Sequence, residues 1–374
     1  MAGIYIHIPF CRQACHYCNF HFSTSLKYKA ELVSALNQEL TLRRDYLKGA
    51  TIETIYIGGG TPSLLEESEL ESILETLNRL YKIAADAEIT LEANPDDLTA
   101  NKLKQLKSSG INRLSIGIQS FHEVDLTWMN RSHTAAQATL SIQQARAQGF
   151  DNLSIDLIFG CPTTTEKSWE ENLERVSALD IPHISCYGLT IEEKTALAHQ
   201  VKNQTGTLPT EESNAQQFQA TMHLLKDQGY DQYEISNYAR SELYSRHNTN
   251  YWRRIPYLGI GPSAHSFDGQ SRQWNQANNS AYITSINSGQ LSFDSEMLTP
   301  KDLYNEYILT QLRTKWGCDT ESIKAKHPNY LQHFLKEAEP LLKQHLIQAS
   351  DDVYTLTHQG KFIADKITAH LFVA

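Results

Sequence analysis

Six short β-type runs, each followed by a helix-favouring stretch, constrain this chain more than any other feature. The runs lie at 4–8, 54–57, 88–92, 113–118, 153–159 and 183–189. Helical stretches at 26–47, 66–83, 98–109, 134–148 and 166–179 fill the intervals. The first of them spaces Leu32, Val33, Leu36, Leu40 and Leu47 along an amphipathic face. Strands alternating with helices specify parallel strands joined by crossovers. The pattern predicts an α/β fold, a partial (β/α)6 barrel over 1–190. Barrels of this kind build their active sites at the C-terminal strand ends, from the loops that follow.

The unusual polar residues fall at those ends. Cys11, Cys15 and Cys18, spaced C-x3-C-x2-C, follow the first strand. Gly58-Gly59-Gly60-Thr61-Pro62 follows the second. Glu92 closes the third, Gln119 follows the fourth and Asp156 sits within the fifth. Thiolates are soft ligands that suit zinc, Cu(I) or iron–sulfur clusters. A structural zinc wants four protein ligands, and His16 is the candidate fourth. A four-iron cluster wants one thiolate per iron, so three cysteines leave one iron open to a small molecule. A further reading is three buried structural cysteines.

The lead-in YIHIPFC and the aromatic Tyr17 before the third cysteine resemble the radical S-adenosylmethionine (SAM) superfamily. Within it the chain resembles the oxygen-independent coproporphyrinogen III oxidase family, including its haem-chaperone branch. The resemblance implies a [4Fe–4S] cluster on Cys11, Cys15 and Cys18, with SAM chelating the open iron. The contexts LEANP, SIGIQSF, MNRSH and SIDLIFG carry it further. They imply SAM contacts from Glu92, Gln119, Arg131 and Asp156, with Gly59, Gly60 and Thr61 at the methionyl end. Tyr5 and Tyr17 complete the expected set. Chemically, Glu92 would receive a cation, Arg131 offers a forked donor to a carboxylate, and Asp156 could accept both hydroxyls of a ribose. Taken singly, the glycine run could be a mere turn and Glu92 a structural ion pair. Cys161 and Cys186 lie in apolar contexts and read as buried thiols.

Beyond 190 the period breaks. The stretch 191–293 reads as a barrel extension, with a polar loop at 196–210, a helix at 211–228 and a strand or bend at 233–238. It contains His247-Asn248-Thr249-Asn250-Tyr251-Trp252, then Tyr257-Leu258-Gly259-Ile260-Gly261 leading to His265. A histidine beside large aromatics is a common structural arrangement, but histidine also holds haem iron. Both segments resemble the haem-chaperone branch, which implies haem as cargo. His247 is the first candidate ligand, His265 a second facing the same pocket, and Tyr251 and Trp252 candidate walls. The stretch 294–374 reads as a smaller, mainly helical α+β unit, winged-helix-like, with a strand at 353–357 and a helix at 359–372.

Two functions compete. One is a haem chaperone delivering haem to haemoproteins. The other is an oxygen-independent coproporphyrinogen III oxidase, which cleaves SAM reductively and abstracts hydrogen from propionate chains. The oxidases carry another cysteine two positions after the third; here that position is Phe20. They also carry an N-terminal extension, whereas here the cysteine loop starts within eleven residues. Both departures favour the chaperone. The 374 residues carry a formal net charge of −10, which argues against nonspecific nucleic-acid binding. No apolar run approaches a membrane span of roughly 20 residues. Six cysteines, three in one ligand cluster, suit a reducing compartment, so the expected location is cytoplasmic. Peripheral membrane contact and a homodimer stay open.

Overall fold

The computed structural model describes residues 1–203 and 210–373. Six parallel strands run side by side in chain order: β1 (Ala2–Ile8), β2 (Ile52–Gly59), β3 (Ile83–Ala93), β4 (Arg113–Gln119), β5 (Leu153–Phe159) and β6 (His183–Gly188). The helices between them are α1 (Lys29–Leu42), α2 (Glu67–Leu80), α3 (Ala100–Ser108), α4 (Glu123–Trp128), α5 (Ala135–Ala147) and α6 (Glu166–Ala178). Thr99, Thr134 and Thr165 start α3, α5 and α6, each accepting a hydrogen bond from the third helical amide. That satisfies one donor the helix cannot satisfy itself.

Alternation along the strands sorts the two faces. Ile4, Ile6 and Ile8, Ile55 and Ile57, Leu114 and Ile116, and Ile155 and Leu157 join the buried core with Leu36, Leu70, Leu103, Ile142 and Leu173 from the helices. The opposite positions face the barrel interior and are largely polar: Tyr5 and His7, Thr54 and Tyr56, Glu88, Thr90 and Glu92, Arg113, Ser115 and Gly117, Ser154 and Asp156, His183 and Ser185. The register aligns them, with Tyr5 beside Tyr56, Tyr56 beside Thr90, and Asp156 beside Ser185.

The sheet is wider than six strands. After α7 (Ala196–Lys202) and α8 (Glu211–Asp227), β7 (Asp231–Glu234) and β8 (Asn237–Ala239) extend it antiparallel beyond β6. The stretch read as a loop at 196–210 thus begins with a helix, capped by Thr195; its residues 204–209 lie outside the described ones. Following α9 (Arg246–Trp252), β9 (Tyr257–Ile260) pairs parallel with β1 on the other edge. Three antiparallel strands continue outward: β10 (His265–Phe267), β11 (Ser271–Asn275) and β12 (Phe293–Met297), with α10 (Asn279–Asn287) before the last. A four-residue strand containing a glycine, Tyr257–Ile260, carries too little pattern to be read from sequence. Leu258, Ile260, Tyr282 and Tyr238 share the barrel's own core.

The remaining chain packs around a second core of Tyr304, Ile308, Phe334, Leu341, Leu356 and Ile367. Its helices are α11 (Pro300–Leu312), α12 (Thr320–Lys326), α13 (Leu331–Lys343), α14 (His358–Lys361) and α15 (Ala364–His370). Its strands are β13 (Cys318–Asp319), β14 (Ile347–Ser350) and β15 (Val353–Leu356), antiparallel in the order β13-β15-β14. The single helix expected at 359–372 is therefore two. Ion pairs tie this unit to the sheet: Arg313 to Glu234 at 3.3 Å, Lys315 to Asp231 at 2.6 Å and Arg272 to Glu306 at 2.6 Å. No helix among the described residues is long and apolar enough to cross a membrane.

Candidate functional site

The cysteine loop leaves β1 at Pro9 and is clamped from two sides. From β2, Gly60 N donates to Ile8 O at 2.9 Å and Thr61 N to Phe10 O at 2.7 Å. From the turn after α4, Asn130 Nδ2 donates to Ala14 O at 2.8 Å, and His16 N donates to Met129 O at 3.1 Å. Cys11, Cys15 and Cys18 are free and half-buried. Thr61 Oγ1 donates to Cys11 Sγ at 3.5 Å, and Arg131 Nη1 donates to Cys15 Sγ at 3.3 Å. Burial pushes the Cys18 thiol up to about 11 and raises that of Cys11. A bound metal reverses this, because a coordinating thiol is deprotonated outright. His16, the candidate fourth zinc ligand, is instead held through Nδ1 by Trp128 O at 2.8 Å. Among the described residues no three His, Cys, Asp or Glu side chains converge as a single ion requires.

The glycine run makes room more than it binds. A Cβ at Gly60 would stand 2.6 Å from Phe10 O, and one at Gly58 would stand 2.9 Å from the Glu92 carboxyl carbon. Gly59 has φ +107°, a conformation side-chain-bearing residues avoid. The amides of the run bond within the protein. Gly59 N donates to Glu92 Oε2 at 2.9 Å, and the amides of Gly60 and Thr61 hold the cysteine loop. Glu92 Oε1 also accepts from Tyr56 OH at 2.7 Å. Even so, burial pushes the Glu92 carboxyl up to about 7. Asp156 is pushed up to about 6, again by burial, and Ser185 opposes the shift.

Arg131 is the best-placed anion receptor on the rim. Nη2 donates to Asn94 Oδ1 and Gly117 O, both at 2.8 Å, while buried Nε has no partner. Buried donors are almost always satisfied, so an orphan on a guanidinium marks room for an acceptor. Gln119 follows a break in the β4–β5 register and has φ 65°. Strain of this kind clusters at functional sites. Tyr5 OH lies 3.0 Å from His7 Nδ1, whose other nitrogen meets His21 O at 2.9 Å. Since a carbonyl only accepts, His7 Nε2 donates and Tyr5 donates to Nδ1. Tyr17 packs against Met129, Ile158 and Cys161. Cys161 and Cys186 are buried, as expected.

His247 lies elsewhere. It plugs the N-terminal end of the barrel, 1% exposed. Its Nδ1 meets Thr54 Oγ1 and its Nε2 meets Tyr251 OH, both at 2.8 Å. Its ring stacks on Tyr56 at 5.2 Å, and burial pushes it down to about 3. Both ring nitrogens are engaged, which is the arrangement of a structural histidine. His265 is exposed on β10 against Trp274, so the two histidines do not share a pocket. Tyr251 lies edge-on to Tyr257, and Trp252 lines a cavity outside the barrel.

Sequence reasoning missed the polar interior beneath the rim. Glu88 accepts from the amides of Arg246 at 3.1 Å and His247 at 3.0 Å, and faces Arg113 at 3.9 Å. His183 is held between Ser154 and Tyr233, each at 2.7 Å. The signal was present: ETIYIGG, EITLEA, RLSIG and SIDLI place polar or small residues at alternate strand positions.

The Radical SAM superfamily description matches residues 5–176, and the HemN C-terminal domain matches 298–363. The heme chaperone HemW of Bacillus subtilis is 35% identical over 98% of both chains. That of Lactococcus lactis is 30% identical over 97% of both. The Escherichia coli HemW is 37% identical over 70% of this chain and 69% of its own. The chain belongs to the HemW family of radical SAM proteins. Its fold is also that of the E. coli coproporphyrinogen III oxidase HemN, a radical SAM enzyme. The two superpose with a TM-score of 0.87 at 24% identity, over 100% of this chain and 90% of the other. A radical SAM protein carries a [4Fe–4S] cluster and SAM, and the residues present fit both. Three thiols on one clamped loop leave an open coordination position. Arg131 has a spare donor, and two carboxyls stand where a cation would lower their pKa.

Proposed function

We propose that this chain is a haem chaperone, which holds a [4Fe–4S] cluster and SAM at the strand ends and passes haem to acceptor haemoproteins. The observation that carries the reading is the similarity over nearly the whole chain to proteins named heme chaperone. Phe20 supports it against the oxidase, because the position after Cys18 and Asn19 holds an exposed phenyl ring, not a thiol. When bound, the cluster supplies one-electron chemistry and an open iron that amino and carboxylate groups can chelate.

The chain's own residues do the positioning. Cys11, Cys15 and Cys18 would hold three irons. Arg131, already donating to Cys15, would turn its spare Nε to the SAM carboxylate. Glu92 would lie against the ammonium or sulfonium, with Tyr56 and Gly59 fixing its orientation. Asp156 and Gln119 would take the ribose, with Tyr5 and Tyr17 flanking the space. The reading includes a reducing, cytoplasmic working compartment, in keeping with six free cysteines.

One anaerobic, cluster-reconstituted preparation tests this. Haem titration should give a saturable Soret change, and coproporphyrinogen III with SAM and a reductant should stay undecarboxylated. Turnover of coproporphyrinogen III would replace the chaperone with the oxidase.

A further inference from the structure

A cavity of about 210 Å³ lies where the C-terminal end of α9 meets β9, β10, β11 and α11. Four rings wall it: Tyr251, Trp252, Tyr257 and Phe267. Tyr251 stands edge-on to Tyr257, with ring centres 4.5 Å apart. The volume falls below the range of about 300–1,000 Å³ usual for drug-sized ligands, so the space suits a group of a few atoms.

The charge around this aromatic box does not balance. Arg254 and Arg272 also line it, their guanidiniums 5.6 and 5.0 Å from the centre of the Phe267 ring. They share one carboxylate, Glu306, at 3.3 and 2.6 Å, and pair with no other among the described residues. All three side chains are largely buried, so one positive charge is left uncompensated where water screens it poorly. Burial and the neighbouring Arg272 both push Arg254 down, against the pull of Glu306.

Two buried donors on the wall also lack acceptors, Trp252 Nε1 and Arg254 Nε. Arg254 donates from Nη1 to Leu303 O at 2.7 Å and from Nη2 to Glu306 at 3.3 Å, which leaves Nε alone idle. Its backbone sits at φ 56°, strain of the kind that Gln119 shows at the rim. A water would accept from both donors but leave the second guanidinium without a counter-charge. An anion supplies the acceptor and the charge together. Inorganic phosphate would set a strongly hydrated ion against four rings. A carboxylate on a short apolar stem matches the donors and the rings alike.

We propose that this cavity is a carboxylate site, with Arg254 Nε and Trp252 Nε1 donating to the acid group and the rings holding its hydrocarbon stem. The carboxylate belongs to a free short-chain acid or to a side arm of a larger molecule, haem included. Only the second source rests on the haem-chaperone reading; the site itself does not.

The test takes the full, cluster-reconstituted chain and four probes: butyrate, its neutral isostere butyramide, haemin, and haemin dimethyl ester, whose carboxylates are masked. Trp252→Phe keeps the ring and removes one donor, and Arg254→Gln removes the guanidinium. Butyrate, and not butyramide, should raise the melting temperature of wild type, because it binds the folded chain alone. Either variant should weaken butyrate about tenfold in calorimetry, the size of a lost hydrogen bond to a charged group. Haemin that binds more tightly than its ester, by a margin that Trp252→Phe erases, assigns the carboxylate to haem. Equal affinities, or a margin that survives Trp252→Phe, assign the site to a free acid. If butyrate has no effect, acts like butyramide, or binds Trp252→Phe as it binds wild type, the cavity is no carboxylate site. Failure of wild type to bind haemin overturns the chaperone reading, and the butyrate result still decides the cavity. Should Arg254→Gln fail to fold, Trp252→Phe decides it alone.

Discussion

At the N-terminal end of the strands, His183 is gripped by Ser154 and Tyr233, His247 by Thr54 and Tyr251, and Glu88 faces Arg113. At the C-terminal end, Arg131 keeps an unpartnered Nε, three thiols stand free, and Glu92 and Asp156 are pushed up toward neutrality. The same barrel lumen therefore holds two polar clusters of opposite design. In the lower one both ring nitrogens of each histidine are hydrogen-bonded and the rings are neutral by burial, while Arg113 Nε, without a hydrogen-bond partner, faces the Glu88 carboxylate. The upper one has capacity left over, and its carboxyls sit at pKa values that a bound cation would lower. The difference separates a polar core that specifies the fold from a polar site built for something absent from the chain.

The largest test of that contrast is the cysteine loop. Cys11→Ala, Cys15→Ala or Cys18→Ala should each abolish the cluster, read as lost visible absorbance and iron, because one iron loses its ligand outright. Thermal melting of the apo protein should barely move, since the thiols are half-buried and free. A variant retaining four irons per chain would remove the basis for the site. At the opposite end the prediction inverts. Glu88→Ala leaves Arg113 buried without its carboxylate and the first amides of α9 uncapped. Removing one partner of a buried pair costs about 3–5 kcal/mol. Denaturant unfolding should show that loss, while the cluster still assembles on the folded fraction. Full stability in Glu88→Ala would mean the lower cluster is not structural.

How far the sequence anticipated this differs between the two ends. The rim was legible because its residues follow strands and break their pattern: three cysteines, a glycine run, and a carboxylate closing ITLE. The parallel strands were legible from isoleucine-rich runs spaced by helices. The lower cluster was legible only as polar alternation along single strands and not as a cluster, because Thr54, Glu88, Arg113 and His183 only become neighbours through the register of strands far apart in the chain. The partners of His247 were hidden for the same reason. Sequence gives its aromatic neighbours Tyr251 and Trp252, but not Thr54, 193 residues away, whose hydroxyl takes up one ring nitrogen. The bonds of the Gly60 and Thr61 amides were likewise hidden, since nothing local says that Ile8 and Phe10 return to claim them.

Within the rim, Asp156→Ala should weaken SAM by roughly 1–3 kcal/mol, the cost of leaving ribose hydroxyls without their acceptor. Calorimetry on cluster-loaded protein measures it. Because Asp156 is held uncomfortably by burial, the same change should not lower the melting temperature of the apo chain. Unchanged SAM affinity would take the ribose away from β5.

The smallest effect is a pH dependence carried by Glu92. Its pKa in the folded chain is about 7, against 4.5 for the unperturbed group, so the folded state binds the proton more tightly than the unfolded one. Its contribution to apo stability is therefore fully present below pH 4.5 and lost as pH rises through about 7. Ligand binding runs the other way. A SAM ammonium or sulfonium beside the carboxyl favours the ionised form, so binding must expel the proton. SAM affinity should then fall as pH drops below 7, approaching about tenfold per pH unit for a single linked proton. Asp156, pushed up to about 6, would add to the slope only below that value. Glu92→Gln cannot titrate and should give weaker binding at pH 8 with a flat profile down to pH 6. A profile in Glu92→Gln as steep as that of wild type would place the linked proton on another group and leave Glu92 as the anchor of Tyr56 and Gly59 alone.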